Sequence, residues 1–155
     1  MVADTVLDAD HIVRALQGAF SHDASRRELL QLAATKMREA GEPYSGVYMY
    51  MVHPGDVLVL EASDGQPTDL TSIPIGSGIC GRAVAEKRDI NVPDVSDADG
   101  YRACSLETKS ELVVLIRRNE EILGEIDIDS DLPDGFPEAE QTTVKAVADA
   151  LAVLL

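Results

Sequence analysis

Basic residues are scarce in this chain: 13 lysines and arginines stand against 28 aspartates and glutamates, a formal charge of −15 at pH 7. A nucleic-acid surface needs clustered cations to neutralise phosphates, and pairs such as Arg26-Arg27 and Arg117-Arg118 are too short to supply one. No apolar run approaches the roughly 18 residues of a membrane-spanning helix, so neither a nucleic acid nor a membrane is expected as a partner. The start, Met1-Val2-Ala3-Asp4, lacks the basic and apolar regions of a secretory signal, which predicts a cytoplasmic protein. Histidine is also sparse, and His11, His22 and His53 show no metal-ligand spacing with one another or with the cysteines. No metal and no cofactor is therefore expected. Only two cysteines are present. In a reducing compartment such a pair is more readily catalytic than a structural staple.

The chain has enough residues for one core, and positions 1–155 read as a single domain. Apolar residues at helical spacing predict a helix over 10–20. Ser25-Arg26-Arg27-Glu28 is a capping box opening a second helix, with a stripe of Leu29, Leu32, Ala33 and Met37 and a stop at Gly41. The period then changes. Residues 47–52 and 57–61 read as strands joined by Pro54-Gly55-Asp56, and 63–72 as a loop. A short helix is expected over 79–87, a small strand over 90–92 and a long loop over 93–110. A second hairpin follows, 111–116 with 122–128, and then a closing helix from Pro137 with a stripe of Val144, Val147, Leu151 and Leu154. Hairpin-linked strands imply an α+β fold. Its antiparallel sheet would carry the N- and C-terminal helices on one face, with a short helix and the long loop over the other. The apolar stripes of the first and last helices would serve a homodimer or simply cover the sheet.

The candidate chemistry gathers around Cys104 in Tyr101-Arg102-Ala103-Cys104. Arg102 favours a thiolate there, and long loops inside compact domains commonly carry function. The alternative is a small buried apolar cysteine. Cys80 follows Gly76-Ser77-Gly78 at the start of a helix, a place that lowers a thiol pKa, although packing with Ile79, Ala83 and Val84 explains it equally well. Asp127 and Asp129 alternate with Ile126 and Ile128, so both share one sheet face, beside Glu111 on the neighbouring strand. Crowded carboxylates repel, which raises at least one pKa. The competing account is an ordinary solvated strand face. Tyr44 and Tyr48 suit either a pocket wall or the core.

Five blocks of sequence resemble the free methionine-(R)-sulfoxide reductases, single-domain GAF proteins. They are Ile-Pro-Ile-Gly-Ser-Gly-Ile-Cys-Gly-Arg-Ala-Val-Ala from Ile73 to Ala85, Pro93-Asp94-Val95, Tyr101-Arg102-Ala103-Cys104, Ser110-Glu111-Leu112-Val113-Val114, and Gly124-Glu125-Ile126-Asp127-Ile128-Asp129-Ser130. The resemblance implies a GAF-like fold and a redox enzyme acting on free methionine sulfoxide. In that reading Cys104 is the catalytic thiol and Cys80 an upstream cysteine. Glu111, Asp127 and Asp129 hold the sulfoxide, Asp94 is a further pocket acid, and Tyr44 and Tyr48 wall the pocket. Tyr44 replaces the family's usual Trp, and Leu70 stands where members carry their main recycling cysteine. Recycling would then pass through Cys80, by way of a Cys104 sulfenic acid and a thioredoxin-type reductant. A GAF ligand-binding or redox-sensing module is the alternative function.

Overall fold

Helix α1 (Ala9–Ser21) starts where the Asp8 side chain accepts the His11 N–H, and α2 (Arg26–Glu39) starts at the expected capping box. Ser25 Oγ accepts the Glu28 N–H while the Glu28 carboxylate accepts the Ser25 N–H, so two donors left over by helix geometry are both satisfied. Within α2 the buried stripe is Leu29, Leu30, Ala33, Ala34 and Met37, and Leu32 is only partly covered. These observations come from a computed structural model, which describes residues 5–97 and 107–155.

Six strands form one antiparallel sheet: β1 (Gly46–His53), β2 (Val57–Gly65), β3 (Ser72–Pro74), β4 (Ile90–Val92), β5 (Ser110–Arg118) and β6 (Glu121–Ser130). Their spatial order is β3-β2-β1-β6-β5-β4. Two expectations need correction. β2 runs on to Gly65, and Ser72 already belongs to β3, so the loop shrinks to residues 66–71. Polar residues in β2 hid its second half: Gln31 and Thr35 of α2 reach Ser63 O and Asp64 and occupy their hydrogen-bonding groups.

Helix α3 (Gly78–Glu86) lies on one face of the sheet, while α1, α2 and α4 (Glu138–Leu154) lie on the other. Strand alternation divides the core accordingly. Val47, Met49, Met51, Leu112, Val114, Ile116, Ile126 and Ile128 meet the three long helices. Tyr48, Tyr50, Val113 and Leu115 point the other way, under α3. The stripes of α1 and α4 are spent in this core, with Ile12, Leu16, Val144, Val147 and Leu151 all buried. Leu154 of the expected α4 stripe is only partly covered. Among the described residues no helix is long and apolar enough to cross a membrane.

Glycine sets how closely α3 approaches the sheet edge. A Cβ on Gly81 would lie 2.5 Å from the Pro74 carbonyl oxygen and 2.9 Å from the Gly76 amide nitrogen, both backbone atoms. Gly18, exposed within α1, has nothing within 4 Å of such a Cβ. Alanine at these two positions should therefore act with opposite sign. Gly81→Ala should cost about 1–3 kcal/mol through overpacking. Gly18→Ala should gain about 0.5–1 kcal/mol through helix propensity. Urea unfolding of the two variants checks this, and equal effects would mean that the approach of α3 is not backbone-limited.

Candidate functional site

The site is built on the sheet face under α3. Alternation along β6 sends Glu125, Asp127 and Asp129 to that face, and Ile126 and Ile128 to the opposite core. Antiparallel register then fixes their neighbours. Asp129 pairs with Glu111 on one side and Gly46 on the other, Asp127 with Val113 and Tyr48, and Glu125 with Leu115 and Tyr50. All four acids are buried: Glu111 2%, Glu125 0%, Asp127 1% and Asp129 3% exposed. The solvated strand face is thereby ruled out for Asp127 and Asp129.

Helix α3 covers the acids with Ile79, Cys80, Ala83 and Val84. The Cys80 thiol reaches Glu111 Oε2 at 4.0 Å. Sulfur and carboxylate atoms of Cys80, Glu111 and Asp127 all lie within 4.8 Å of one another. A pocket opens here, lined by Tyr50, Leu70, Ile73, Cys80, Glu111 and Asp127 among others. Two tyrosine hydroxyls tie the 66–71 loop across this face. Tyr48 donates to Gln66 O and Tyr50 to Leu70 O, each at 2.6 Å. The space that a water molecule's centre can reach inside is only about 10 Å³, room for roughly one water.

Electrostatics follow from burial. The Glu125 carboxyl is pushed well above its usual range, by loss of solvation first and by the charge of Asp127 second. Among the described residues neither of its oxygens meets a donor at ordinary hydrogen-bond geometry, although the Cys80 thiol stands close enough to pull its pKa back somewhat. Asp127 is also raised, by burial, with hydrogen bonding to Glu111 and Cys80 pulling back. Cys80 is raised furthest from reactivity. Burial comes first, and the charges of Asp127, Glu125 and Glu111 all disfavour the thiolate. This overturns the expectation that the helix N-terminus lowers the Cys80 pKa. A partial dipole charge acts weakly against desolvation and three acids.

The fold thus brings together Cys80, Glu111, Asp127 and Asp129, with Tyr48 packed in the same cluster. Tyr44 goes elsewhere. It lies in the core beneath the long helices, edge-on to Phe136, and its hydroxyl donates to the buried Glu140 carboxylate. Glu140 also accepts Val6 N at 2.8 Å and Leu7 N at 3.0 Å, so this is a clasp between the N-terminal segment and α4. Asp94 is exposed and holds a turn. Its Oδ1 accepts Ser96 N at 3.0 Å and Ser96 Oγ at 2.7 Å, which lowers its pKa. Tyr101, Arg102 and Cys104 lie outside the described residues, and so does any geometry between the two cysteines. Glu125 is the acid that sequence reasoning left without a role. The signal was present, since the alternation placing Asp127 and Asp129 on one face places Glu125 there as well.

A GAF domain family model matches residues 23–155. The chain is similar to the free methionine-R-sulfoxide reductase of Saccharomyces cerevisiae, at 35% identity over 106 residues, 68% of this chain and 58% of that protein. It spans about three fifths of the length of the curated relatives it matches. Among solved structures, the type II free methionine-R-sulfoxide reductase of Thermoplasma acidophilum is 36% identical with a TM-score of 0.79, over 83% of this chain and 91% of that one. The free methionine-R-sulfoxide reductase of Neisseria meningitidis in complex with its substrate is 26% identical with a TM-score of 0.86, over 99% and 94% of the two chains.

The raised carboxyls have a consequence for stability. A group whose folded pKa lies above its unfolded value stabilises fully below the unfolded pKa, and that contribution is lost as pH rises through the folded pKa. As pH rises above the ordinary carboxyl range the protein should therefore lose stability. Glu125→Gln should flatten that fall, by up to about 1.4 kcal/mol per pH unit where one proton is involved. Unfolding curves at several pH values check this, and parallel slopes for the two proteins would mean that Glu125 titrates as in the unfolded chain.

Proposed function

The chain belongs to the GAF domain family, and we propose that this member reduces free methionine (R)-sulfoxide to methionine with thiol chemistry. The buried cluster of Glu111, Glu125, Asp127 and Asp129 beneath Cys80 carries the reading. A GAF scaffold has no structural need for four acids facing its own core, and functional sites are where such costly groups persist. The named reductases similar to this chain support the same activity.

In this mechanism the Cys104 thiolate attacks the sulfoxide sulfur. A neutral carboxyl of the cluster protonates the oxygen, a role suited to groups whose pKa burial raises. The sulfoxide S–O bond and the newly formed bond between the two sulfurs both break as the hydroxyl passes to the Cys104 sulfur, so methionine leaves and Cys104 becomes a sulfenic acid. Cys80 then displaces that oxygen as water and forms a disulfide. Its high pKa makes it a poor nucleophile alone, but a carboxylate that has just given up a proton is well placed to take the thiol's. A dithiol of the thioredoxin type restores both cysteines by exchange, being itself oxidised to a disulfide. The sum is methionine sulfoxide plus dithiol giving methionine, disulfide and water. Such recycling suits a reducing compartment, in keeping with the cytoplasm. The ammonium of a free amino acid would also be drawn to this acidic face. A pocket with room for about one water must widen to admit the substrate, and α3 and the 66–71 loop are the elements that border it.

The assay is consumption of free methionine (R)-sulfoxide with thioredoxin, thioredoxin reductase and NADPH. Cys104→Ser should abolish turnover with the fold intact. Cys80→Ser should release about one methionine per site and then stall. Asp127→Asn should lower turnover by about 10²- to 10⁴-fold, the usual worth of a general acid. Retained turnover in Cys104→Ser would contradict the mechanism, and full activity in Asp127→Asn would leave the acid cluster without a catalytic role.

A further inference from the structure

Cys80, Glu111 and Asp127 present one sulfur and two carboxylate oxygens within 4.8 Å of one another, all on buried side chains. Zinc bonds of about 2.3 Å to sulfur and 2.1 Å to oxygen put tetrahedral S and O ligands about 3.6 Å apart. The Cys80 Sγ to Glu111 Oε2 separation is 4.0 Å, so a few tenths of an ångström of closure would bring that edge to ligating distance. The group also contains a spare acceptor: among the described residues, Asp127 Oδ1 is buried without a hydrogen-bond partner. Behind it Glu125 is buried beside the same thiol. None of the ion pairs among the described residues reaches Glu125 or Asp127. The adjoining space, about 10 Å³ for a water's centre, holds a single small species. It suits an ion completed by one water far better than an organic molecule.

The geometry points to a binding site for one divalent cation of borderline softness, the zinc class, held by Cys80 Sγ and one oxygen each of Glu111 and Asp127. A thiolate ligand selects Zn²⁺ or Co²⁺ over Mg²⁺ and Ca²⁺, which take oxygen donors. Ligation replaces the thiol proton: Cys80–SH and the cation give a thiolate–metal bond and one proton released to solvent. An ion here would occupy the acids assigned above to the substrate and the thiol assigned to recycling. It would thus hold the pocket shut to organic ligands until chelated. That consequence rests on the reductase reading, whereas the binding itself does not.

The test reads binding without turnover, so its failure is separate from failure of the proposed activity. Reduced Cys104→Ser protein, in which Cys80 is the one remaining thiol, is titrated with Co²⁺ and followed by thiolate-to-cobalt charge-transfer absorption. One equivalent should produce the band, Zn²⁺ should bleach it by displacement, and millimolar Mg²⁺ should leave it unchanged. Adding Cys80→Ser should remove the band. Asp127→Asn, which keeps side-chain volume, should weaken affinity at least about tenfold. Absence of the band with excess Co²⁺, its persistence without Cys80, or unchanged affinity in Asp127→Asn would each overturn the site.

Discussion

Four carboxyl groups buried on one face of a sheet are the constraint to which the rest of the molecule answers. An isolated carboxylate in a low-dielectric interior is costly enough that it protonates instead. Four within one cluster add mutual repulsion. Burial raises the pKa of Glu125 and of Asp127, and with the charges of the acids it disfavours the Cys80 thiolate above them. The cluster therefore places carboxyls whose protonated form is favoured beside a sulfur. In the proposed reaction such a carboxyl would protonate the sulfoxide oxygen and, once ionised, take the proton of the following thiol.

Such a cluster lowers stability, and the opposite face of the same sheet offsets it. Every second residue of β1, β5 and β6 enters a continuous apolar core with α1, α2 and α4, where Leu16, Leu30, Met37, Ile126, Ile128 and Leu151 are fully buried. The division of labour is imposed by the pleat, since the residue before or after each acid must point into that core. A single buried acid on the helix side, Glu140, is handled differently. It accepts two backbone N–H groups and the Tyr44 hydroxyl, so it stabilises structure.

Sequence periodicity sufficed for most elements, because capping residues, turn glycines and alternation are local signals. Ser25 and Glu28 marked α2, and the strand at Ile90–Val92 has the limits expected of it. Alternation along β6 likewise put Asp127 and Asp129 on one face. What local signals lack is the identity of the covering layer. Whether that face met water or α3 depended on the packing of Gly81 against Pro74, forty-six residues from Asp127. The same limit applies to Cys80, whose helix position suggested activation while its tertiary neighbours impose the reverse. Tyr44 shows it again: two residues before β1 it reads equally as pocket or core, and only the arrival of Glu140 from α4 places it.

The central claim is that buried acids of the cluster are neutral at the pH where the protein works. Infrared spectroscopy of the reduced protein at pH 7 in heavy water tests it most directly, since a protonated carboxyl has a carbonyl stretch separate from that of carboxylate. The account predicts such a band, diminished on replacing Glu125 by glutamine and shifted when free methionine (R)-sulfoxide enters the pocket. A spectrum showing only ionised carboxylates at pH 7 would contradict it.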